Sequence, residues 1–264
     1  MRRSLWWLLP ALLPAALFLI WHVLGSKAPG GAAATLPRPE LVVAAGWRLL
    51  VSGELLRHGW VSLERALGGL LLGGSVGLGL GLLNGYWRVA ERLTDTAVQM
   101  LRNIPHLALL PLTILWFGLG EESKLFLVAL GVLFPIYVNT FHGVRSIDPG
   151  LLEMSELYGL TRRGVFRHVI LPGALPSILV GLRYALGTMW LTLIVAETLG
   201  ADAGIGYLAL NAREFMQTDV VIVSILLYAL LGKLADATAR LLERRWLGWD
   251  PRHARVATSA GAPA

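Results

Sequence analysis

Apolar runs recur along this chain, most of them near the roughly twenty residues that a helix needs to cross a bilayer. Inside lipid no water is available to bond a peptide group, so runs of that length must satisfy their own backbones as helices. They are read at residues 5–24, 62–86, 96–118, 124–141, 174–199 and 220–239. The 55% hydrophobic content, 15% charged residues and mean hydropathy of +0.62 agree. A soluble domain carries about a quarter of its residues as charges. The expected fold class is therefore all-α: a polytopic membrane protein of about six transmembrane helices.

The net charge of +6 does not point to nucleic acid, because the Lys and Arg residues fall in the gaps between apolar runs rather than in one cluster. The absence of cysteine excludes disulfides, thiolate metal sites and a cysteine nucleophile, and no metal site is expected. The run at 5–24 follows Arg2 and Arg3 and exceeds the length of a signal h-region, so it is read as a retained first span. Gly30, Gly31, Pro37 and Pro39 then mark an irregular segment. In residues 40–60, Arg48, Glu54, Arg57 and His58 interrupt the apolar positions; this suits a helix lying at the membrane surface, with Trp47 and Trp60 at headgroup depth. Counting Lys and Arg on alternate sides gives roughly thirteen against six and places both termini in the cytoplasm. The chain so divides into an N-terminal span with its external segment, 1–61, a membrane core, 62–240, and a cytoplasmic tail, 241–264.

Several polar or small residues inside the spans call for an account. Gly69, Gly73, Gly77, Gly81 and Gly85 recur every four residues and form one helix face that another helix can approach closely. A sliding contact and a static one are both compatible with that face. Residues 73–77 match G-x-S-x-G, but Ser75 lies in a continuous apolar helix rather than at a strand-to-helix elbow, so the match is attributed to chance. The third span holds Arg102, Asn103, Pro105, His106 and Pro111; a kinked helix facing other helices or a watery cavity accommodates such a set. Arg102 and Arg183 are candidates for a cationic pathway, or equally for a structural ion pair or a headgroup contact. Lys233 and Asp236, three apart, are expected to pair with each other.

A polar, basic interruption, residues 142–172, lies on the cytoplasmic side by this count. Asp148, Pro149 and Gly150 open a short helix, with Glu153 expected in its first turn, where a carboxylate suits the positive helix end. Met154, Leu157 and Tyr158 share one face, and Gly159 supplies a turn. Leu160, Val165, Phe166, Val169 and Ile170 form a second apolar set, and Pro172 is expected to stop the second helix before the next span. An apolar knob rimmed by charge is the form of a docking element. An amphipathic helix on the bilayer, suited by Arg162, Arg163 and Arg167, is the other reading.

Glu153-Met154-Ser155, three residues, Gly159, nine residues, Val169, one residue, Leu171-Pro172 resembles the EAA motif of ABC-importer permeases. The departures are Met154 and Ser155, where the family has alanines, and Val169 for isoleucine. The resemblance extends to residues 101–106, 116–118, 172–176 and 196–197, which are similar to the branch importing aliphatic sulfonates, with relatives for taurine and nitrate. It implies a type I importer permease fold, with Glu153, Met154, Ser155, Gly159, Leu171 and Pro172 in a coupling loop, 149–173, that contacts the ATPase. Arg102, His106, Arg183 and Glu197 become candidates for the pathway or gate. It also implies a bacterial inner-membrane homodimer working with two cytoplasmic ATP-binding subunits and an external solute-binding protein. The chain holds no phosphate loop of the form G-x-x-x-x-G-K-[ST], so ATP and Mg are expected in the partner, with no cofactor in this chain. Against an intramembrane hydrolase using Ser75 or His106, the chain lacks the metal motif H-E-x-x-H and a convincing Ser/His/Asp arrangement. A secondary transporter would show internal repeats, and none is evident.

Overall fold

The computed structural model describes residues 9–27 and 36–249, with side chains placed at 12–25 and 36–249. Arg2, Arg3, Gly30, Gly31, Arg252 and Arg255 lie outside the described residues. The secondary structure among them is helical throughout: α1 (Leu9–Lys27), α2 (Pro39–Val51), α3 (Glu54–Tyr86), α4 (Arg88–Arg102), a 3-10 turn (His106–Leu109), α5 (Leu110–Phe117), α6 (Glu121–Arg145), α7 (Pro149–Leu157), α8 (Arg162–Val165), a π turn (Phe166–Ile170), α9 (Leu171–Glu197), α10 (Ile205–Glu214) and α11 (Thr218–Trp246). Four continuous helices are long and apolar enough to span a bilayer: Glu54–Tyr86, Glu121–Arg145, Arg162–Glu197 and Thr218–Trp246. The pair Arg88–Arg102 and His106–Phe117, bent by 81° at its break, has the form of a broken span or a re-entrant loop, and α1 adds the shorter apolar stretch Leu12–Gly25.

The chain forms two compact units, and both α3 and α11 have residues in each. The first unit comprises Met1–Ser62 and Asp202–Ala229. Its core joins Val42, Ala45 and Leu49 on α2 to Leu208 and Ala212 on α10 and Val220 and Val223 on α11, with Trp21 and Leu55 against it. The expected surface helix over 40–60 is corrected here. It breaks at Gly53, whose φ of +81° places it in the left-handed region, and the α2 part buries one face in protein. His58 and Ser62 then point inward, where their Nδ1 and Oγ accept the amides of Gly204 (3.0 Å) and Ile205 (2.8 Å) at the start of α10. These amides have no partner inside their own helix, so the two side chains act as remote caps.

The second unit comprises Leu63–Ala201 and Leu230–Ala264. Its central pair is α6 on α9, with Leu127, Val128, Val132, Tyr137, Leu179 and Leu193 buried. Small residues set this approach: a Cβ on Gly181 would stand 2.7 Å from that of Asn139, and one on Gly143 2.8 Å from that of Ser177. The glycine face of α3 lies against the other side of α6. A Cβ on Gly73 would overlap the Ala129 carbonyl, and one on Gly81 or Gly85 would come within 2.6 Å of Thr140 or Val144. Gly79, off that face, meets nothing within 4 Å.

The kinked helix expected over 96–118 is instead two helices meeting at 81°. Pro105 disfavours helical geometry at Ile104, and α4 ends at Arg102 with Asn103 as its C-cap. Composition adds to the break, since α4 carries Arg88, Glu91, Arg92, Asp95, Gln99 and Arg102 and buries no residue. Pro172 likewise does not stop a helix. The run Arg162–Glu197 continues through it, 36 residues long. A proline ring clashes with the carbonyl four residues back, here His168, and the widened π turn over Phe166–Ile170 makes room for it.

Candidate functional site

The loop between α6 and α9 is built residue by residue. Asp148 caps α7, its Oδ1 accepting the amide of Gly150 at 2.9 Å, and Pro149 occupies the first turn, where a missing N–H costs nothing. The acidic group at this helix start is thus Asp148; Glu153 sits a turn further on, exposed, which corrects its expected first-turn placement. At the other end the amide of Leu160 reaches the Ser155 carbonyl (3.0 Å) and that of Gly159 the Glu156 carbonyl (2.9 Å). This is a Schellman closure, and it demands the left-handed φ of +71° found at Gly159. Thr161 then accepts the Gly164 amide at 3.2 Å and starts α8.

The loop therefore has two faces. Ser155 is buried, its Oγ donating to the Leu152 carbonyl at 2.7 Å. Leu152, Val165 and Phe166 pack on the cluster of Val144, Ile170 and Ala174. Met154 (51% exposed), Leu157 (87%) and Tyr158 (80%) stand outward. Of the two positions where the family has alanine, only Ser155 meets the packed side; Met154 belongs to the outward knob. Leu171 is exposed and Pro172 half-buried at the end of the loop.

The pathway candidates do not converge on one point. Arg102 is the exposed last residue of α4. His106, just past the break, contacts Thr192 of α9 through Nε2 and Oγ1 at 2.9 Å, beside Gly131 of α6. Arg183 donates from Nε to Asp236 Oδ1 of α11 at 2.9 Å, and Arg240 holds the other oxygen of that carboxylate. The expected Lys233–Asp236 pair is replaced by these contacts. Asp236 and Arg240 stand one turn apart, and Arg183 comes from another helix. A cavity of about 480 Å³ adjoins this cluster, lined by Tyr184, Gly187, Gly232 and Glu243.

Glu197 lies fourteen residues beyond Arg183, about 21 Å along the same helix. Its side chain is buried and accepts from Arg65 Nη1 at 2.9 Å. The other edge of the Arg65 guanidinium grips Glu121 with Nε and Nη2, both at 2.6 Å. Lys124, also buried, donates to the carbonyls of Leu119 (2.9 Å), Gly120 (3.0 Å) and Gly200 (3.2 Å). Four charged side chains thereby join α3, the start of α6 and the end of α9. Sequence reasoning missed Arg65, although His58, Ser62 and Arg65 recur at i, i+4 and i+7 in an apolar helix, the signal of a polar stripe. A second missed network links α3, α4 and α6. The Tyr137 hydroxyl donates to Asp95 (2.6 Å) and accepts from Asn84 (2.9 Å), whose carbonyl oxygen accepts from Thr94 (2.9 Å).

These features define a class: a multi-pass, all-helical membrane protein packed through small residues, with charged clusters inside and one short helical loop offering an apolar knob. A family model for the binding-protein-dependent transport system inner membrane component matches residues 66–248. The chain is 61% identical, over 96% of its length and 97% of the relative's, to the protein of Escherichia coli K12 named aliphatic sulfonates transport permease SsuC. It is 45% identical to the Bacillus subtilis protein of the same name, covering 94% and 90% of the two chains. It is 35% identical to the taurine transport system permease TauC of Escherichia coli, covering 81% and 80%. Among solved structures, inward-facing MetNI methionine ABC transporter aligns with 77% of this chain and 97% of its own at 23% identity and a TM-score of 0.49. The chain belongs to the family of inner-membrane components of binding-protein-dependent transport systems. It is the permease subunit of an ABC importer, a multi-pass inner-membrane protein that works with ATP-binding and solute-binding components and is not itself the ATPase.

Proposed function

We propose that this permease imports aliphatic sulfonates, as a homodimer served by two cytoplasmic ATP-binding subunits and an external solute-binding protein, with both of its own termini in the cytoplasm. ATP and Mg bind in the partner. Its closure moves residues 149–173 and, through them, the balance between inward-open and outward-open packing of the spans. ATP shifts that balance only by its difference in affinity for the two states, carried through this contact. The observation behind the coupling role is the two-faced loop: Ser155 and Leu152 hold it to the protein while Met154, Leu157 and Tyr158 stand outward. Glu153, Gly159, Leu171 and Pro172 set its charge, turn and end. The substrate class rests on the 61% identity to the aliphatic sulfonates permease. Arg102, His106, Arg183 and Glu197 are assigned to the pathway and its outer gate on the same resemblance.

The test is Leu157→Asp with Tyr158→Ser in a deletion strain supplied with the whole transporter. Growth on an alkanesulfonate as sole sulfur source should be lost, and the ATP-binding subunit should no longer co-purify, while the permease still reaches the membrane. Unchanged co-purification overturns the loop assignment. Growth of the deletion strain on alkanesulfonates but not on taurine overturns the substrate.

A further inference from the structure

A groove of about 770 Å³ runs between the end of α3 and the start of the Arg162–Glu197 helix. That lies within the roughly 300–1,000 Å³ in which proteins enclose a drug-sized ligand. Gly79, Leu82 and Leu83 form its apolar floor, and Tyr86, Trp87 and Phe166 its aromatic wall, with Tyr86 and Phe166 edge to face at 5.8 Å. Arg162, Arg163 and Arg167 line its rim, exposed and with no acidic partner among the described residues. The position is informative in itself. One apolar helix ends at Tyr86 and another begins at Arg162, and the charge count puts both ends on the cytoplasmic side, which sets the groove at the expected level of the headgroups. Aromatic rings with polar edges favour that depth, and arginines extend there from apolar surroundings.

An apolar trough ending in three uncompensated positive charges matches one kind of molecule, an acyl chain carrying an anionic head. A free anion leaves the trough unfilled, and a zwitterionic lipid leaves the arginines unneutralised. We infer that this groove is a binding site for an anionic glycerophospholipid, its chain along Gly79 and Leu83 and its phosphate against Arg162, Arg163 and Arg167. The groove shares Arg162, Arg163, Arg167 and Leu171 with the loop of the proposed coupling role, but not the outward knob of Met154, Leu157 and Tyr158. Its consequence is a lipid tether immediately after the turn at Gly159, holding the root of the loop to the membrane while the outward knob stays available.

The test uses the full chain in nanodiscs containing photoactivatable phosphatidylglycerol or phosphatidylcholine, with cross-linked residues mapped by mass spectrometry. Phosphatidylglycerol should label residues 79–87 and 162–171 in preference to phosphatidylcholine. The preference should be on the order of 100-fold, since each arginine near an anionic headgroup contributes roughly fivefold. Exchange of all three arginines for glutamine should bring it within about threefold, and exchange for lysine should keep it. Gly79→Leu provides a variant that leaves the charges untouched: a Cβ there meets nothing, and the rest of the side chain enters the groove. It should abolish labelling by either lipid. Equal labelling by the two lipids, or undiminished labelling in the glutamine or Gly79→Leu variants, overturns the site. Loss of labelling on adding the ATP-binding subunit also overturns it and makes the groove a protein contact.

Discussion

Removing Arg65 should be the most damaging single change among the four charges at the junction of α3, α6 and α9. Its side chain is 6% exposed and serves two carboxylates, one of them, Glu197, fully enclosed. Arg65→Met leaves that carboxylate without its guanidinium, and breaking a buried pair from one side costs about 3–5 kcal/mol. Glu197→Leu is milder, about 1–3 kcal/mol, because Arg65 retains its double contact with Glu121. Glu121→Gln should cost no more than about 1 kcal/mol, since its side chain is 56% exposed and water screens the pair. Replacing Arg65 and Glu197 together by apolar residues removes both the attraction and the burial penalty. The double variant should therefore fall short of the summed single losses by about 2 kcal/mol or more. Equilibrium unfolding in mixed micelles, titrated with sodium dodecyl sulfate and read by tryptophan fluorescence, supplies the cycle. Additivity within about 0.5 kcal/mol, or Glu121→Gln costing more than Arg65→Met, refutes the reasoning.

The glycine face of α3 gives a matched comparison: Gly73→Ala forces a methyl into the Ala129 carbonyl and should lower stability by about 1–3 kcal/mol, while Gly79→Ala, with open space, should be neutral or slightly stabilising in the same titration. Equal effects at the two positions would show that α3 does not lie on α6 through this face. Tyr137→Phe removes a hydroxyl that bonds Asp95 and Asn84, and should cost about 1–3 kcal/mol by leaving two polar groups short of a partner. Combining it with Asn84→Leu should cost less than the two separate losses, which the same unfolding curves measure.

What the sequence discloses here depends on whether the cause is local. The apolar run of α6, the cap at Asp148 and the glycine turn at 159 follow from residues within a few positions of one another, and they are legible. The loop with its apolar knob is legible for the same reason. Pro172 misleads because a proline reads as a stop, whereas five residues in a π turn relieve its clash, and no rule of composition signals such a turn. The third apolar stretch misleads by its second half, which hides how polar α4 is. Spacing alone pairs Asp236 with Lys233, three residues away, yet its partners are Arg240 one turn on and Arg183 on another helix. Arg65 is not legible in the sequence because its meaning comes from Glu121 and Glu197, at sequence separations of 56 and 132. Charges that pair across helices acquire their role only when the bundle forms.

The π turn carries one residue more than an α-helical turn of the same rise, and so fixes a rotational phase. Everything from Leu171 to Glu197 is turned by about 100° relative to a continuous α-helix with one residue fewer. The Arg162–Glu197 rod is about 54 Å long, so its two ends share a single setting. A deletion of His168, Val169 or Ile170 would leave the loop and the three arginines in place, yet aim Arg183 and Glu197 away from Asp236 and Arg65. The dial that points these charges at their partners therefore sits at the root of the loop, several turns from the partners themselves.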